Sequence, residues 1–567
     1  MKYKIFFSLL ALFLFSAFTT KKDMPVTIFM IGDSTMADRD VKKGNMERGW
    51  GQMLPRFFTD DILIDNHAAC GRSTRSFINE GRWQTVLGKL KEGDYVIIQF
   101  GHNDEKTDTV LHTVPGGSFD DNLRKFVGEA RGKGAKPILM NSIVRRNYPP
   151  APNTRFQYVY EKEGKILVNS HGEYINSPRK VAQEMNVPFV DMTRLTHELV
   201  SKMGPEKSKE LFMWVPAGKY ARYPKGKTDN THLNIYGSKV IARIAAEAIA
   251  EAVPELAEYI RHYDPEIYVA DYKDNKKCAI SYTFDDGLEE HYTMVYPQLE
   301  TLGFKGTFWV CGKIIEYKDA NLGKPRMSWK QMKEMSDKGH EISNHSWSHP
   351  NLKHLDKEKI REEIDKNDSI ILFHTGKKPR TFCYPGNSYD KRVEDITSEG
   401  RTATRTKQYA IGGEVAKSTP QSLSKWVDEL LVAEEWGVTM THGITYGYDC
   451  FSNSETLWNH LSKVKEQENE IWVDTFAKIG AYIKERKNIQ LDIVKNKSSY
   501  KVTPHLALAP ELFPEPLTMV MKNGGNKSKI KVKQDRKQLP VKTFGDETLF
   551  DFNPYGGTID ILNSATL

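Results

Sequence analysis

Short apolar runs alternate with longer helical patterns in the first part of the chain. From Val26 to about Glu258, the runs VTIFMIG, YVIIQFG, KPILMNSIV and VPFVDM each end where polar or glycine residues begin. Runs of this kind are typical of buried strands. Strand–helix alternation predicts a doubly wound parallel sheet, with its functional site beyond the carboxyl ends of the strands. A helical apolar stripe follows these runs, formed by Val240, Ile241, Ile244, Ala245, Ala248 and Ile249.

A second series of apolar runs follows a polar, tyrosine-rich stretch, RHYDPEIYVADYKDNKK. Its members, CAISYTF, GTFWVCG, HEIS, RTFCYPG and VTMTHGI, are separated by helical stretches and fit either an open sheet or a barrel. Beyond about Ile489, alternating short strands with many Pro and Gly residues predict a small β-rich appendage. We therefore expect an α/β protein with domains at residues 23–258 and 276–489, a linker at 259–275 and a β-rich domain at 490–567.

Residues 1–22 combine a basic start, an apolar run of about a dozen residues and then small and hydroxyl residues, as in a secretory signal peptide. A membrane anchor is the alternative, but the apolar run is shorter than the ~20 residues that span a bilayer. We expect a periplasmic or extracellular protein with no stable membrane span after signal removal. Five scattered cysteines imply no disulfide framework, and the sequence gives no basis for an oligomeric state. A net charge of +7 gives no case for nucleic acid and suits an acidic polysaccharide.

Four polar motifs of the first domain hold a candidate serine-hydrolase set. Ser34 follows a predicted strand and a Gly-Asp turn, where serine is most often only a helix N-cap. A histidine that takes the serine proton creates a nucleophile, and a carboxylate fixes the histidine tautomer. Asp229 and His232, just before a predicted helix, offer this pair. The backbone N–H groups of Ser34 and Gly71 and the side-chain amide of Asn103 are candidate oxyanion donors.

In this order, GDST, AACGRSTRSFINEGRW, QFGHNDE and DNTHLNIYGSKVIA resemble the motifs of the SGNH (GDSL-like) hydrolases. They look like the rhamnogalacturonan acetylesterase branch, carbohydrate esterase family 12, throughout residues 26–252. The resemblance implies a flavodoxin-like fold that needs no cofactor; a domain of this fold without activity is the alternative. The resemblance implies that Ser34 is the nucleophile, His232 the general base and Asp229 the carboxylate that orients it. Gly71 and Asn103 would complete the oxyanion hole.

The segment SNHSWSHPNL contains two histidines four residues apart, His345 and His349, a spacing that indicates a metal site. Without further residues, a pair of ordinary surface or core histidines explains this spacing as well as a metal site does. Asp285 and Asp286 end an apolar strand upstream, where adjacent acids are most often turn residues or caps. Two histidines and one carboxylate leave positions open for water and substrate, as in a catalytic metal site. His442 follows a later strand and is a candidate acid for the leaving group.

The motifs TFDDG, HSWSHP and TMTHG resemble those of the polysaccharide deacetylase (NodB-homology) family, carbohydrate esterase family 4, over about residues 276–487. The resemblance implies a distorted (β/α) barrel and a divalent metal ion. Zinc is expected, and cobalt or nickel would suit the same ligands. The implied roles are metal ligand for Asp286, His345 and His349, general base for Asp285 and general acid for His442.

One motif departs from this family pattern. The family commonly has an arginine, then proline and an aromatic residue, in the strand after the histidine pair, whereas this chain has RTFCYPGN. Cys383 stands at the expected arginine, and Gly386 follows the proline. Cys383 is expected to be a small buried strand residue rather than a ligand. Arg380 and Arg405 are both candidates to replace the arginine, and the sequence does not choose between them.

Together the two resemblances predict an exported bifunctional enzyme that removes acetyl groups from cell-wall glycans such as rhamnogalacturonan, pectin or xylan. One site would use a serine and the other a metal ion. An alternative is a single serine esterase whose second half only binds glycan, and another is N-deacetylation of the cell's own envelope amino sugars. The basic segment KSKIKVKQDRK fits a solvated strand face better than a surface that grips acidic pectin.

Overall fold

The structure is a computed structural model that describes residues 26–40, 44–149, 164–220, 222–261, 264–317, 324–496, 499–522 and 530–563. The predicted signal peptide, residues 1–22, lies outside the described residues. Within these ranges no helix is both long enough and apolar enough to cross a membrane.

A five-stranded parallel sheet forms the centre of the first domain, with the order β2-β1-β3-β4-β5. Its strands are β1 (Val26–Gly32), β2 (Ile62–Asn66), β3 (Tyr95–Gln99), β4 (Lys136–Met140) and β5 (Phe189–Val190). Its helices are α1 (Trp50–Met53), α2 (Thr74–Asn79), α3 (Arg82–Leu87), α4 (Ser118–Gly132), α5 (Asn176–Met185), α6 (Met192–Lys207) and α7 (Ile235–Ala252). An antiparallel pair, β6 (Phe212–Val215) and β7 (Lys227–Leu233), lies between α6 and α7.

Alternate residues of β1 enter two separate cores because successive strand side chains point to opposite faces. Ile28 and Met30 pack in one core with residues of α1 and α7. Phe29 and Ile31 pack in the other with residues of α2 to α5. Helices on both faces of a parallel sheet confirm the predicted doubly wound architecture. The sequence did not indicate β2, an edge strand whose residues are mostly only half-buried.

Two parallel sheets form the second domain, with the orders β10-β11-β12-β13-β14 and β15-β16-β9-β17. Before them lies β8 (Ile267–Val269). The strands are β9 (Cys278–Ser281), β10 (Thr283–Phe284), β11 (Thr307–Val310), β12 (Glu341–Asn344), β13 (Thr381–Cys383), β14 (Ala403–Arg405), β15 (Tyr409–Ala410), β16 (Trp436–Met440) and β17 (Ile471–Val473). A parallel bridge between Phe284 and Thr441 connects the two sheets. The strands therefore follow one another as a distorted (β/α) barrel, the fold that the second resemblance implies.

Helices alternate with the strands of this barrel. They are α8 (Tyr296–Leu302), preceded by a π-helical turn at His291–Val295, then α9 (Gly312–Tyr317), α10 (Trp329–Asp337), α11 (Lys357–Thr375), α12 (Lys391–Ser398), α13 (Pro420–Ala433), α14 (Glu455–Glu466) and α15 (Phe476–Asn488). Apolar side chains of α8, α10, α13 and α14 pack with those of β9 to β12 in one buried core. This core lies beneath the strand ends that carry the second candidate site.

Two antiparallel sheets form the β-rich part, with the orders β18-β19-β25-β21-β22 and β23-β24-β20-β8. The strands are β18 (Gln490–Asn496), β19 (Ser499–His505), β20 (Leu517–Lys522), β21 (Ile530–Gln534), β22 (Lys537–Leu539), β23 (Lys542–Phe544), β24 (Glu547–Phe552) and β25 (Ile559–Asn563). Strand β8 lies in the segment interpreted from sequence as a linker, yet it pairs with β20. Residues 259–275 are therefore partly built into the C-terminal sheet.

Asp271, in this same segment, is the centre of a charge cluster where the first and second domains meet. Its carboxylate lies 2.8 Å from Arg56 Nη1, 3.3 Å from Lys239 Nζ and 2.7 Å from Arg486 Nη1. Arg56 and Lys239 belong to the first domain, whereas Arg486 lies on α15. Burial raises the pKa of Asp271, but the three cations outweigh it and hold this pKa well below its usual value.

We expect Asp271→Asn to destabilise the full chain, because three contacting cations then lose their shared carboxylate. The expected loss is about 1–3 kcal/mol at pH 7, less than for a fully buried pair, since the Asp271 side chain is 33% exposed. A carboxylate with a lowered folded-state pKa stabilises above its unfolded pKa of about 4 and loses that effect as the pH falls. Thermal unfolding should therefore separate the variant from wild type at pH 7, and the gap should narrow below about pH 4.

The matched control is Asp337→Asn, which breaks an exposed pair with Lys333 on α10. Exposed pairs of this kind contribute about 0.3–0.5 kcal/mol, so its Tm should stay close to that of wild type. If wild type and Asp271→Asn had the same Tm at pH 7, the charge cluster would not be a stabilising contact between the domains.

Two candidate active sites

The first candidate site lies beyond the carboxyl end of β1, where Ser34 follows the strand. His232 Nε2 is 3.0 Å from Ser34 Oγ, and His232 Nδ1 is 2.9 Å from Asp229 Oδ2. An Nδ1–H that donates to Asp229 leaves Nε2 free to accept the Ser34 hydroxyl proton. Burial raises the pKa of Asp229, but hydrogen bonds from the His232 ring and from backbone N–H groups hold it well below its usual value.

A buried arginine fixes the strand that carries this acid–base pair. Arg146 Nη1 donates to Asn230 Oδ1 at 3.0 Å, and its backbone N–H donates to Asn230 O at 2.8 Å. Trp214 Nε1 donates to the same Asn230 Oδ1 at 2.9 Å. Asn230 lies between Asp229 and His232, so these bonds hold β7 in the register that aims His232 at Ser34. The sequence analysis missed this support because it depends on contacts between residues distant in the chain.

The proposed oxyanion donors lie in the same cavity as the serine. A cavity of about 380 Å³ is lined by Ser34, Gly71, Asn103 and His232. Gly71 has φ +75°, and a Cβ there would meet no atom within 4 Å, so the left-handed backbone rather than space favours glycine. Asn103 Nδ2 donates to Arg72 O at 3.1 Å, which holds its amide at the cavity wall. All five residues predicted for this site are thus brought together.

A chain of charged side chains next to Ser34 and Asp229 was not anticipated from the sequence. Arg39 Nη2 donates to Ser34 O at 3.0 Å and lies 2.5 Å from Glu47 Oε1. Glu47 Oε2 accepts from Lys227 Nζ at 2.8 Å, and Lys227 lies 3.3 Å from Asp229 Oδ2. The chain of contacts connects the Ser34 backbone to the Asp229 carboxylate. Isolated charges in loops carry no motif, so only the folded arrangement reveals it.

The second candidate site lies at the strand ends of the barrel. Asp286 Oδ1 is 3.7 Å from His345 Nε2 and 3.7 Å from His349 Nε2. Asp286 Oδ1 is buried and has no hydrogen-bond partner among the residues that the structure describes. Two ring nitrogens that converge on an unpartnered carboxylate oxygen fit a metal ion between them. The same three residues are the metal ligands that the resemblance to the deacetylase family implies.

Further features of the three residues fit metal binding. His345 Nδ1 is 2.9 Å from Cys383 O, and a proton on Nδ1 leaves Nε2 free as a ligand. Burial holds the pKa of His345 below its usual value, which keeps the ring neutral. Asp286 and His349 have φ values of +75° and +60°, a left-handed backbone that non-glycine residues rarely adopt. Such strain is concentrated at functional sites.

Arg405 replaces the arginine that the sequence motif lacks. Its guanidinium contacts the Asp285 carboxylate through two parallel bonds, Nη1 to Oδ1 at 2.7 Å and Nη2 to Oδ2 at 2.5 Å. Cys383 on β13 is the register partner of Arg405 on β14, so the arginine has moved one strand across. Arg380 contacts Glu515 at 3.3 Å instead. Burial raises the pKa of Asp285, but Arg405 outweighs it and holds this pKa well below its usual value.

The structure also places Cys383 and His442 close to Asp285. Cys383 is fully buried, and burial raises the pKa of its thiol well above the usual value. Its Sγ lies 3.9 Å from Asp285 Oδ2. His442 Nε2 lies 3.8 Å from the same Asp285 oxygen. The structure therefore brings together the Asp285 carboxylate, the His442 imidazole and a three-residue candidate cation site at the strand ends of the barrel.

We expect the protein to retain about one divalent ion per chain, zinc in the first instance, and the double variant His345→Ala, His349→Ala to lose it. One remaining carboxylate ligand cannot hold the ion. Elemental analysis of the purified full chain checks this. His354→Ala removes an exposed histidine from the same region and should leave the metal content unchanged. Wild-type metal content in the double variant would contradict the assignment.

Residues 30–240 match the family model of the GDSL-like Lipase/Acylhydrolase family. The rhamnogalacturonan acetylesterase RhgT of Bacillus subtilis (strain 168) is 36% identical over 236 residues, which covers 42% of this chain and 94% of RhgT. The chain belongs to the GDSL-like lipase/acylhydrolase family. The matched residues, 30–240, cover most of the first domain.

Residues 272–402 match the family model of polysaccharide deacetylases. The peptidoglycan-N-acetylmuramic acid deacetylase PdaA of Bacillus subtilis (strain 168) is 33% identical over 136 residues, 24% of this chain and 46% of PdaA. The Xyl-CE4 domain of a multidomain xylanase from the hindgut metagenome of Trinervitermes trinervoides is 19% identical with a TM-score of 0.28, covering 36% of this chain and 89% of that domain. The chain spans less than half the length of PdaA. The chain thus carries a GDSL-like domain and a second region that matches the polysaccharide deacetylase model, and the protein is a hydrolase.

Proposed function

We propose that the protein is an exported bifunctional deacetylase that removes acetyl groups from acetylated cell-wall polysaccharides at two independent sites. The observation that supports this proposal is that two groups of side chains with geometry suited to acetyl hydrolysis lie in separate domains. One is the serine set with 3.0 and 2.9 Å contacts, and the other is the metal-ligand set that converges on Asp286. Domain boundaries at residues 23–258, 276–489 and 490–567 are part of the proposal, with β8 added to the last domain.

In the GDSL-like domain, Ser34 Oγ attacks the acetyl carbonyl while His232 Nε2 takes its proton. The same nitrogen then returns the proton to the sugar hydroxyl that leaves, and a water releases acetate from the acyl-serine. Asp229 stabilises the imidazolium that forms in between. The Ser34 and Gly71 N–H groups and the Asn103 amide donate to the developing oxyanion, and each such donor lowers the barrier by roughly 3 kcal/mol.

In the deacetylase domain, Asp286, His345 and His349 hold a divalent ion, with zinc expected. The bound ion supplies Lewis-acid activation of water and of the acetyl carbonyl. Asp285 accepts the proton of the attacking water. Because Arg405 keeps this carboxylate ionised and fixes both its oxygens, Asp285 contributes orientation more than intrinsic basicity. His442 Nε2 donates a proton to the leaving group.

The wall of the esterase cavity favours an acidic glycan over a neutral one. Three cationic side chains, Arg39, Lys106 and Arg145, line it. Arg39 is paired with Glu47, and Arg145 is paired with Glu105. Lys106 has no ion-pair partner among the described residues, so its charge is available to a substrate carboxylate. This supports rhamnogalacturonan or another acetylated pectin, rather than xylan, as the substrate of this site.

We expect Lys106→Gln to lower kcat/KM of the serine site on acetylated rhamnogalacturonan about 3- to 10-fold, mainly through KM, as for one exposed ion pair. The effect should fade at high salt and be absent on neutral acetylated xylan. Acetate release at low and high ionic strength measures it. Lys133→Gln, an exposed lysine outside the cavity, is the control. An equal loss on both glycans would exclude carboxylate recognition by Lys106.

The proposed function is tested by acetate release from acetylated rhamnogalacturonan, acetylated xylan and chitooligosaccharide, each with and without a chelator. We expect a chelator-resistant component on ester substrates and a separate chelator-sensitive component. If the chelator-sensitive component appears only with chitooligosaccharide, the metal site is an N-deacetylase for amino sugars, the class of activity for which PdaA is named. If no glycan shows chelator-sensitive release, the second domain has no deacetylase role.

A further inference from the structure

A buried carboxylate just after the acidic motif of the deacetylase domain has no role in the mechanism described so far. Glu290 follows Asp286 by four residues and is 2% exposed. It immediately precedes the π-helical turn at His291–Val295. Single π-helical turns are rare and occur frequently at functional sites. A buried carboxylate at such a position is expected to bind specific hydrogen-bond donors.

All hydrogen bonds that the structure gives to this carboxylate come from the segment that follows His442. Glu290 Oε1 accepts from the backbone N–H of Ile444 and, at 2.8 Å, from that of Thr445. Glu290 Oε2 accepts from Thr445 Oγ1 at 2.8 Å. Among the described residues, no cation lies within ion-pair distance of Glu290. A buried carboxylate is costly unless such donors satisfy it, so these contacts bind the segment firmly.

His291, the residue after Glu290, contacts the same segment at His442. His291 is fully buried, and its Nε2 lies 2.8 Å from His442 O. Burial lowers the pKa of His291 to about 4, so the ring is neutral, and a proton on Nε2 lets it donate to that carbonyl. The turn between the two contacts is tight, since a Cβ at Gly443 would lie 2.1 Å from Tyr446 O.

We propose that Glu290 and His291 are positioning residues that fix His442 for proton donation to the leaving group. They hold the backbone at His442 itself and at the two residues after Gly443, which keeps His442 Nε2 3.8 Å from Asp285 Oδ2. Residues 285–291 would thus supply the general base Asp285 and the metal ligand Asp286, and would also hold the general acid His442 in place. This inference rests on the proposed role of His442 in the deacetylase domain.

Leaving-group dependence separates this role from a merely structural one. A sugar oxygen or nitrogen needs a proton as it leaves, whereas a nitrophenolate leaves readily without one. In a full-length Ser34→Ala background, which silences the serine site, Glu290→Gln should slow chelator-sensitive release of acetate from glycan about tenfold or more, as partial loss of general-acid catalysis. Chelator-sensitive hydrolysis of nitrophenyl acetate should change less than about threefold, since no proton donor is needed.

Controls make the outcome specific. Metal content should stay unchanged in Glu290→Gln, and the neighbouring, half-buried Glu289→Gln should behave like its parent. Thr445→Val deletes one donor to Glu290 and should give the same pattern in weaker form, which keeps the test valid if Glu290→Gln folds poorly. Equal slowing of glycan and aryl substrates, or loss of metal, would overturn the positioning role. Absence of chelator-sensitive activity in the Ser34→Ala parent would instead overturn the proposed function.

Discussion

Ser34→Ala should abolish the acetate release that persists in the presence of a chelator, by about 10⁴-fold or more on ester substrates, as for other triad nucleophiles. Without the hydroxyl, His232 has no proton to take and no acyl-serine forms, although the oxyanion donors remain. Acetate release from acetylated rhamnogalacturonan with a chelator present measures this effect directly.

The chelator-sensitive activity of the same preparation is the internal control for Ser34→Ala. The metal-ligand set lies in another domain, and no contact connects Ser34 to it in the described residues. That activity and the metal content should therefore stay at wild-type values. Chelator-resistant release that survives in Ser34→Ala would rule out Ser34 as the nucleophile.

Arg405→Met should remove the chelator-sensitive activity by about 100-fold or more, since Asp285 then loses the partner that orients it. The two side chains are 1% and 3% exposed, so an unpaired Asp285 should also destabilise the protein by about 3–5 kcal/mol. Because the pKa of Asp285 is lowered in the folded state, this stabilisation is complete above about pH 4 and declines below it. Steady-state kinetics and thermal unfolding at pH 7 check both effects.

Transfer of the arginine to the neighbouring strand is the matched control. The double variant Cys383→Arg, Arg405→Cys exchanges two register partners and returns the arginine to the position usual in the family. This double variant should recover part of the activity lost in Arg405→Met. Arg405→Lys should recover less, because lysine keeps the charge but cannot form the two parallel bonds to Asp285. Full activity in Arg405→Met would show that Asp285 needs no guanidinium partner.

Much of the two sites was predictable because the residues lie in short motifs at strand ends. The carboxyl ends of parallel strands meet at one edge of a sheet. Once the strands are correctly ordered, Ser34 and Asn103 therefore come together in the first domain, and Asp285, His345 and His442 come together in the second. The histidine pair also carries its own spacing signal. These features need only local sequence and the general geometry of α/β folds.

The remaining features depend on pairings between distant parts of the chain. The role of Arg405 follows from the β13–β14 register, which the motif around Cys383 does not encode. Strand β8 lies in a polar stretch and was not predicted, because its pairing partner β20 is far away in the sequence. Glu290 has no sequence signal, since its donors are backbone N–H groups. Such contacts appear only after tertiary folding.

The most direct test of two independent sites is acetate release by wild type, Ser34→Ala, Asp285→Asn and the double variant, each assayed with and without a chelator on the same acetylated glycans. Ser34→Ala should retain only chelator-sensitive release, Asp285→Asn only chelator-resistant release, and the double variant neither. Loss of general-base function alone reduces rates by about 10²–10⁴-fold, which makes the pattern easy to resolve. Loss of all acetate release in Ser34→Ala, with the metal still bound, would contradict the presence of a second catalytic site.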